Sequence, residues 1–175
     1  DVQAWGADAV AAASHKWLLG PWGAGYLYLD PAFAETLVPA QVGYMSVADP
    51  YADPYELHDG ARRFEVGTVS PAPYAGLVEA IEMVEELGDD AIQARIERLT
   101  DRLKVGLGDR LVGPREYESG LVAFEVPDAE AFVERAASEG VVVRSLPTGA
   151  VRASLHAFNT AADVDALLAV LDEAT

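Results

Sequence analysis

The chain has 175 residues, of which 51% are hydrophobic and 23% charged, a composition typical of a folded globular protein and not of a disordered one. Its 29 acidic and 12 basic residues give a net charge of −17, which disfavours nucleic acids and anionic membranes as partners. The chain has no cysteine, which excludes disulfides, thiolate metal sites and a cysteine nucleophile within it and points to a cytoplasmic location.

The basic residues are almost all arginine, because only Lys16 and Lys104 are lysines. An acidic, lysine-poor surface is typical of adaptation to high salt, in which counterions screen the repulsion between carboxylates. An ordinary acidic enzyme is the alternative interpretation. The sequence starts at Asp1 without an export signal, and we expect it to be the continuation of a longer chain.

Two strand-like segments are predicted in the first part of the chain. The apolar run 8–13 ends at the polar step 14–16, and the alternating segment 23–29 ends at an Asp-Pro step. The stretch 40–63 is rich in Tyr, Pro, Asp and Gly and has no clear period. A stretch of this length and composition predicts a functional or interface loop.

Two helices are predicted in the middle of the chain. Apolar residues recur every three or four positions in 74–88, where Gly88 ends the pattern. The same spacing continues through 89–108, with Asp89 or Asp90 as the helix cap.

The last third alternates between strands and helices and predicts a small α/β unit. The predicted sheet is mostly antiparallel and is covered by helices on one face. Thr160 and Asp163 have the spacing of a helix-capping pair. The predicted strands are 120–126, 141–146 and 150–158, and the predicted helices are 128–140 and 160–174.

Lys16 lies between a histidine and a tryptophan at the end of an apolar run. A lysine in an exposed turn is the plain interpretation. Its place at a strand end, and apolar side chains at 17–18 that would desolvate the amine, favour a reactive group instead. Ser14, His15 and the glycine-rich segment 23–25 are suited to hold an anion. A Schiff-base lysine beside a phosphate pocket is what pyridoxal phosphate requires.

Three blocks resemble the class V aminotransferase family, which comprises fold-type-I pyridoxal-phosphate enzymes such as cysteine desulfurases, selenocysteine lyases and isopenicillin N epimerase-like proteins. The first is SHKWLLGPWGAGYLYL at 14–29. The second, RRFEVGTVSPAPYAGLVEAIEMVEELG at 62–88, is similar to the family's Arg-Phe-Glu-x-Gly-Thr block and the helix after it. The third, VRASLHAFNTAADVDALLAVLDEA at 151–174, is similar to its closing block.

The resemblance implies a role for each residue of the lysine segment. Lys16 would form the Schiff base with pyridoxal 5'-phosphate, and His15 would help to hold the cofactor phosphate. The family commonly carries a phosphate-binding serine three positions before the lysine. That position is Ala13 here, and the nearest hydroxyl is that of Ser14, which becomes the candidate for this contact.

The other two blocks imply contacts with a partner subunit and a substrate. Gly67 and Thr68 would reach the phosphate of the partner subunit's cofactor, which implies a homodimer with shared active sites. Arg152 would bind the α-carboxylate of an amino-acid substrate, because a guanidinium can donate two parallel hydrogen bonds to a carboxylate. A surface strand arginine is the plain alternative. His156 faces either the site or a structural contact, and Asn159 fits a helix cap.

Cysteine desulfurases carry a catalytic cysteine on the loop before the substrate arginine, and 144–151 contains none. The resemblance therefore implies a reaction other than persulfide formation. The pyridinium partner and the ring-stacking residue of the family lie upstream of its lysine, outside this sequence. By this resemblance, residues 1–88 are the end of the large cofactor-binding domain, 89–110 are a linking helix and 111–175 are the small C-terminal α/β domain. We expect the fragment alone to be inactive and poorly stable.

The expected function is that of a pyridoxal-phosphate enzyme acting on an α-amino acid by transamination, epimerisation or β-elimination. Two alternatives remain at this level: a non-catalytic fragment or structural subunit that keeps the fold, and a substrate-binding α/β module without a cofactor.

Overall fold

A computed structural model describes residues 2–116 and 118–173 and divides the chain into two compact units, Asp1–Glu86 and Leu87–Thr175. The strands of the first unit are β1 (Ala9–Ala13) and β2 (Gly25–Leu29), and its helices are α1 (Pro31–Thr36), a 3-10 turn (Gly60–Phe64) and α2 (Pro71–Leu87), which ends at the boundary. The second unit contains α3 (Asp89–Leu107), a 3-10 turn (Gly108–Arg110), β3 (Leu111–Val112), β4 (Leu121–Phe124), α4 (Ala129–Ser138), β5 (Arg144–Ser145), β6 (Val151–Ser154) and α5 (Ala161–Glu173).

The first unit is built on an antiparallel pair of strands. β1 and β2 pair in register from Ala9 opposite Leu29 to Ala13 opposite Gly25. The Asp-Pro step that ends β2 also starts α1, because the Asp30 carboxylate accepts hydrogen bonds from two backbone N–H groups of its first turn. The loop that follows α1 contains an isolated bridge between Val47 and Leu57.

The second unit packs three helices on one face of a four-stranded antiparallel sheet. The strand order is β3-β4-β6-β5, and the residues of β4 and β6 that point to the core pair directly across the two strands. Side chains from α3, α4 and α5 complete this core, so the predicted antiparallel sheet with helices on one face is confirmed. The fully buried members of the core are Leu103, Phe124, Ala136 and Val151.

Several predicted boundaries differ from the structure. The predicted strand 141–146 shortens to Arg144–Ser145, because the Val141 N–H donates to the carbonyl of Ala136 and belongs to the end of α4. The predicted strand 150–158 ends at Ser154. α3 is preceded by Gly88, and Asp89 and Asp90 lie in its first turn without capping it through a side chain.

The long helix α3 is part of the second unit, because its buried leucines belong to that unit's core. Its charged side chains include the pair Lys104–Asp101, whose Nζ and Oδ1 atoms are 3.7 Å apart. The Lys104 side chain is buried, whereas that of Asp101 is exposed. The division into a large-domain end, a linking helix and a small domain stays a prediction.

Candidate active site

Lys16 lies in a tight turn directly after β1. The N–H of Leu19 donates to the Lys16 carbonyl at 3.0 Å, and the N–H of Gly20 donates to the Ser14 carbonyl at 2.9 Å. The Ser14 side chain is fully buried, and its hydroxyl lies 3.0 Å from the carbonyl oxygen of Ala24 and 2.5 Å from that of Pro21. Ser14 therefore ties the turn to the start of β2, and its role as a phosphate contact stays a prediction.

The lysine itself is exposed in this chain. Trp17 beside it keeps 44% of its surface exposed, so the expected shielding of the amine by its apolar neighbours is not seen. His15 stacks on Trp22, with ring centroids 3.8 Å apart and planes inclined by 13°. The turn thus exposes Lys16 next in sequence to a histidine whose ring is stacked on Trp22.

Gly67 and Thr68 line a cavity of about 940 Å³ in the first unit. The backbone N–H of Thr68 donates to the Tyr44 hydroxyl at 2.7 Å, and the two hydroxyl groups are also in contact. The lysine turn is not among the described residues that line this cavity. Besides Gly67 and Thr68, the cavity is lined by Gly25, Tyr26, Leu27, Met45, Ala61, Arg62, Phe64, Glu65, Val66, Val69 and Tyr74.

A short turn at 43–46 forms a hydrogen bond to the backbone that leads to Gly67. The hydroxyl of the fully buried Ser46 donates to the carbonyl of Glu65 at 2.7 Å and accepts from the N–H of Gly43 at 3.1 Å. A Cβ atom at Gly43 would lie 1.9 Å from the Val66 carbonyl oxygen, so only glycine fits there. Sequence reasoning assigned this turn to a loop and missed it, because the contact joins residues that no local pattern relates.

Arg63, which precedes this segment in sequence, ties the chain to α1 and its neighbours. Its buried guanidinium donates to the carbonyls of His58 and Ala34 and lies 2.7 Å from the Glu35 carboxylate. The hydrogen bond from Arg63, with a second from the Gly60 N–H, lowers the pKa of the Glu35 carboxyl below its usual value.

Arg152 lies in the middle of β6 in the second unit. Its neighbours Val151 and Ala153 point into the core, so the Arg152 side chain belongs to the opposite, open face of the sheet. Among the described residues its Nε atom is buried without a hydrogen-bond partner. A buried donor without a partner is costly, which is consistent with an anionic ligand at this position.

His156 and the residues after it form the entry to α5. The His156 ring stacks on Phe158 with centroids 5.2 Å apart, and its backbone N–H donates to the side chain of Asn159 at 2.9 Å. The Asp163 carboxylate accepts from the N–H of Thr160 at 2.8 Å, and this bond, followed by that from the Asn159 side chain, lowers the Asp163 pKa. The N–H of Asp163 in turn donates to the Thr160 hydroxyl at 3.4 Å, so the predicted capping pair of Thr160 and Asp163 is confirmed. The predicted cap at Asn159 is wrong, because its side-chain oxygen accepts from His156 and not from an N–H group of the helix.

Two negative findings concern the described residues 2–116 and 118–173. They contain no cluster of three His, Asp or Glu side chains that could bind a metal ion. None of their helices has the length and apolar character needed to cross a membrane.

Curated proteins are similar to this chain over nearly its whole length. A probable cysteine desulfurase of Pyrococcus abyssi is 31% identical over 99% of this chain and 48% of its own length. An isopenicillin N epimerase of Streptomyces clavuligerus is 34% identical over 96% of this chain and 47% of its own length. The chain thus spans about half the length of the curated relatives that it matches.

Solved structures share the fold over nearly the whole chain. The apo cysteine desulfurase of Thermococcus onnurineus superposes with a TM-score of 0.87 at 31% identity, covering 98% of this chain and 48% of that one. A variant of the enzyme C-DES, solved with glycine covalently linked to its pyridoxal-phosphate cofactor, gives 0.86 at 26% identity, over 98% of this chain and 47% of that one.

These likenesses confirm the predicted fold class, the C-terminal part of a fold-type-I pyridoxal-phosphate-dependent transferase with an α/β small domain. They also confirm pyridoxal 5'-phosphate as the cofactor of the family. The aminotransferase class-V family profile matches residues 1–167. The chain belongs to the aminotransferase class-V family.

Proposed function

We propose that the protein is a pyridoxal-phosphate-dependent enzyme that acts on an α-amino acid, with Lys16 and Arg152 as its principal groups. The α-amino acid substrate is inferred from the environment of Arg152. Its Nε atom is buried and has no hydrogen-bond partner among the described residues. In a chain with a net charge of −17, an arginine without a carboxylate partner is available for an anionic ligand.

The donors of the first unit fit the cofactor. An exposed amine at Lys16 suits the aldehyde, and the imidazole of His15 beside it suits a phosphate oxygen. Thr68 is exposed next to Gly67, and its hydroxyl contacts that of Tyr44. A Cβ atom added at Gly67 would already be in ordinary contact with the Tyr44 ring at 3.6 Å. In a homodimer with shared sites, the amine and imidazole of one copy and the hydroxyl and bare backbone of the other would together supply the chemistry that an aldehyde phosphate needs.

Bound pyridoxal phosphate supplies an electron-accepting ring that makes the substrate Cα proton acidic. The residues of this chain then have separate tasks. Arg152 fixes the substrate α-carboxylate through two parallel hydrogen bonds. The Nζ atom of Lys16 removes a proton from Cα and returns one, acting as general base and then as general acid.

The reaction is proposed to be transamination, epimerisation or β-elimination without persulfide formation. The segment 144–151, which joins β5 to β6, carries no thiol, and neither does the rest of the chain. Similar proteins are called probable cysteine desulfurases, and the absent thiol is what distinguishes this chain from a persulfide-forming enzyme. A persulfide needs a thiolate acceptor, because the sulfur atom must be transferred to a nucleophile.

A homodimer with shared sites is part of the proposal. Gly67 and Thr68 line a cavity that does not include the described lysine turn. This supports the proposal that they contact the cofactor bound to the partner's lysine and not the cofactor bound to Lys16 of the same chain. Operation in high salt is also proposed, because the net charge of −17 is self-repulsive without counterions.

A non-catalytic subunit that keeps the fold is the second candidate. The exposure of Lys16 and Trp17 favours it, because a reactive amine is normally desolvated. Visible absorbance of the protein mixed with pyridoxal phosphate separates the two candidates. The enzyme requires a band in the wild type that Lys16→Ala abolishes, and a wild type without a band supports the subunit.

The role of Arg152 is tested by Arg152→Gln in the cofactor-loaded protein. We expect KM for the amino-acid substrate to rise by about 10- to 100-fold, because a charge-assisted pair is lost, with the visible band unchanged. Loss of the band in this variant would contradict a role in substrate binding.

A further inference from the structure

Two arginines lie opposite each other on neighbouring strands of the second unit. The antiparallel pairing of β5 and β6 places Arg144 directly across from Arg152. Directly paired residues point to the same side of a sheet, with Cβ atoms about 4.5–5.5 Å apart. Because Val151 and Ala153 point to the core, both arginines belong to the open face.

This pair is unfavourable by itself. Like charges directly opposite on paired strands repel each other. In the described part of the chain, neither Arg144 nor Arg152 has a carboxylate within ion-pair distance, although the sequence contains 29 acidic residues. The arginines at 63, 102 and 135 each bind a carboxylate, whereas the exposed arginines at 62 and 98 have no ion pair with a described residue either. The Arg144–Arg152 pair differs from these because the Nε atom of Arg152 is buried and has no hydrogen-bond partner in the described part of the chain, which calls for an anion from outside.

The surroundings leave room for that anion. On the side of β6 away from Arg144, the residue paired with Arg152 is Ala123, whose methyl group takes little space on the open face. Arg144 is exposed, whereas Arg152 is half-buried. Together they present two cationic groups at different depths.

We infer that the two arginines bind one substrate with two anionic groups, an amino dicarboxylate. This inference rests on the proposed function, in which Arg152 holds the α-carboxylate. Arg144 then binds the carboxylate at the end of the substrate side chain. The two side chains start about 4.5–5.5 Å apart at Cβ, so their guanidinium groups can reach the two ends of one four- or five-carbon dicarboxylate. Two bidentate pairs would neutralise the repulsion between the guanidinium groups.

The test measures binding without turnover. Dissociation constants are determined by titration calorimetry for succinate, a four-carbon dicarboxylate, and for butyrate, its monocarboxylate counterpart, on the cofactor-loaded protein. For Arg144→Gln we expect succinate affinity to fall by about 10- to 100-fold and butyrate affinity to stay within about twofold. Arg144→Lys should restore part of the succinate affinity, because it restores the charge.

Arg98→Gln is the matched control. Arg98 is exposed on α3, so this variant loses the same charge at a different surface and should leave both affinities unchanged. Circular dichroism checks that each variant folds.

Three results would overturn the inference. If Arg144→Gln lowers the affinities for succinate and butyrate equally, both arginines bind one carboxylate. If it lowers neither affinity, Arg144 lies outside the site. An equal loss of succinate in Arg98→Gln means that only the overall charge matters. Unchanged butyrate affinity in Arg152→Gln would instead overturn the proposed carboxylate site itself, which is a distinguishable failure.

Discussion

Replacing Gly43 by alanine tests how the segment leading to Gly67 is held. The added Cβ would lie 1.9 Å from the carbonyl oxygen of Val66 and 2.8 Å from its Cγ1 atom. The Val66 carbonyl would have to move by about 1.5 Å to reach an ordinary contact distance. Such a movement would also strain the hydrogen bond from Ser46 to Glu65.

The expected cost combines the two effects. Overpacking costs about 1–3 kcal/mol, and a weakened buried hydrogen bond costs about 1 kcal/mol. We therefore expect Gly43→Ala to lower the free energy of unfolding by about 3 kcal/mol. With a urea m-value of about 2 kcal/mol/M, the denaturation midpoint falls by about 1.5 M.

Tryptophan fluorescence during urea denaturation is a suitable assay, because all three tryptophans of the chain, at 5, 17 and 22, lie in the first unit. Gly67→Ala is the matched control on the same segment. Its Cβ would meet only the Tyr44 ring at 3.6 Å, an ordinary contact, so its midpoint should stay close to that of the wild type. Equal midpoints for the two variants would refute the close packing of Gly43 against Val66.

Three further predictions concern stability. Leu103→Ala removes a fully buried side chain from the core of the second unit and should cost about 2–5 kcal/mol, measured by far-ultraviolet circular dichroism in urea; a cost below about 1 kcal/mol would contradict its position. Asp128→Ala removes the cap of α4 and should cost about 1 kcal/mol in the same assay, and an unchanged midpoint would refute the cap. Arg63 lowers the pKa of Glu35, so the ionised carboxylate stabilises the folded state at pH values above the usual glutamate pKa of about 4.3. This stabilisation is lost as the pH falls through the lower pKa of Glu35 in the folded state. In the Glu35→Gln variant, the free energy of unfolding should therefore depend less on pH below about 4.3 than in the wild type. An unchanged pH dependence in this range would contradict the Arg63–Glu35 pair.

Local sequence patterns predicted much of the fold. The helices α2 and α3 follow from apolar spacing, and the cap at Thr160 follows from its distance to Asp163. Helix α1 was missed because six residues are too few for a periodic pattern, although the Asp30-Pro31 step is a recognised helix start.

The site depends more on contacts distant in sequence. Lys16 was identified from its position and neighbours, and the resemblance then assigned roles to Lys16 and Arg152. The pairing of Arg144 with Arg152 follows from strand register, which the sequence does not specify for a two-residue strand. The turn containing Gly43 and Ser46 was assigned to a loop without period, because its function is to support a segment some 20 residues later.

The central claim is that Lys16 binds the cofactor covalently, and peptide mapping tests it most directly. The protein is incubated with pyridoxal phosphate, reduced with borohydride to fix the adduct, digested and analysed by mass spectrometry. The chain offers an internal control, since its only other lysine, Lys104, has a side chain that is 8% exposed. The account predicts the pyridoxyl mass on Lys16 and none on Lys104. A label on Lys104 instead, or an unlabelled Lys16, would contradict it.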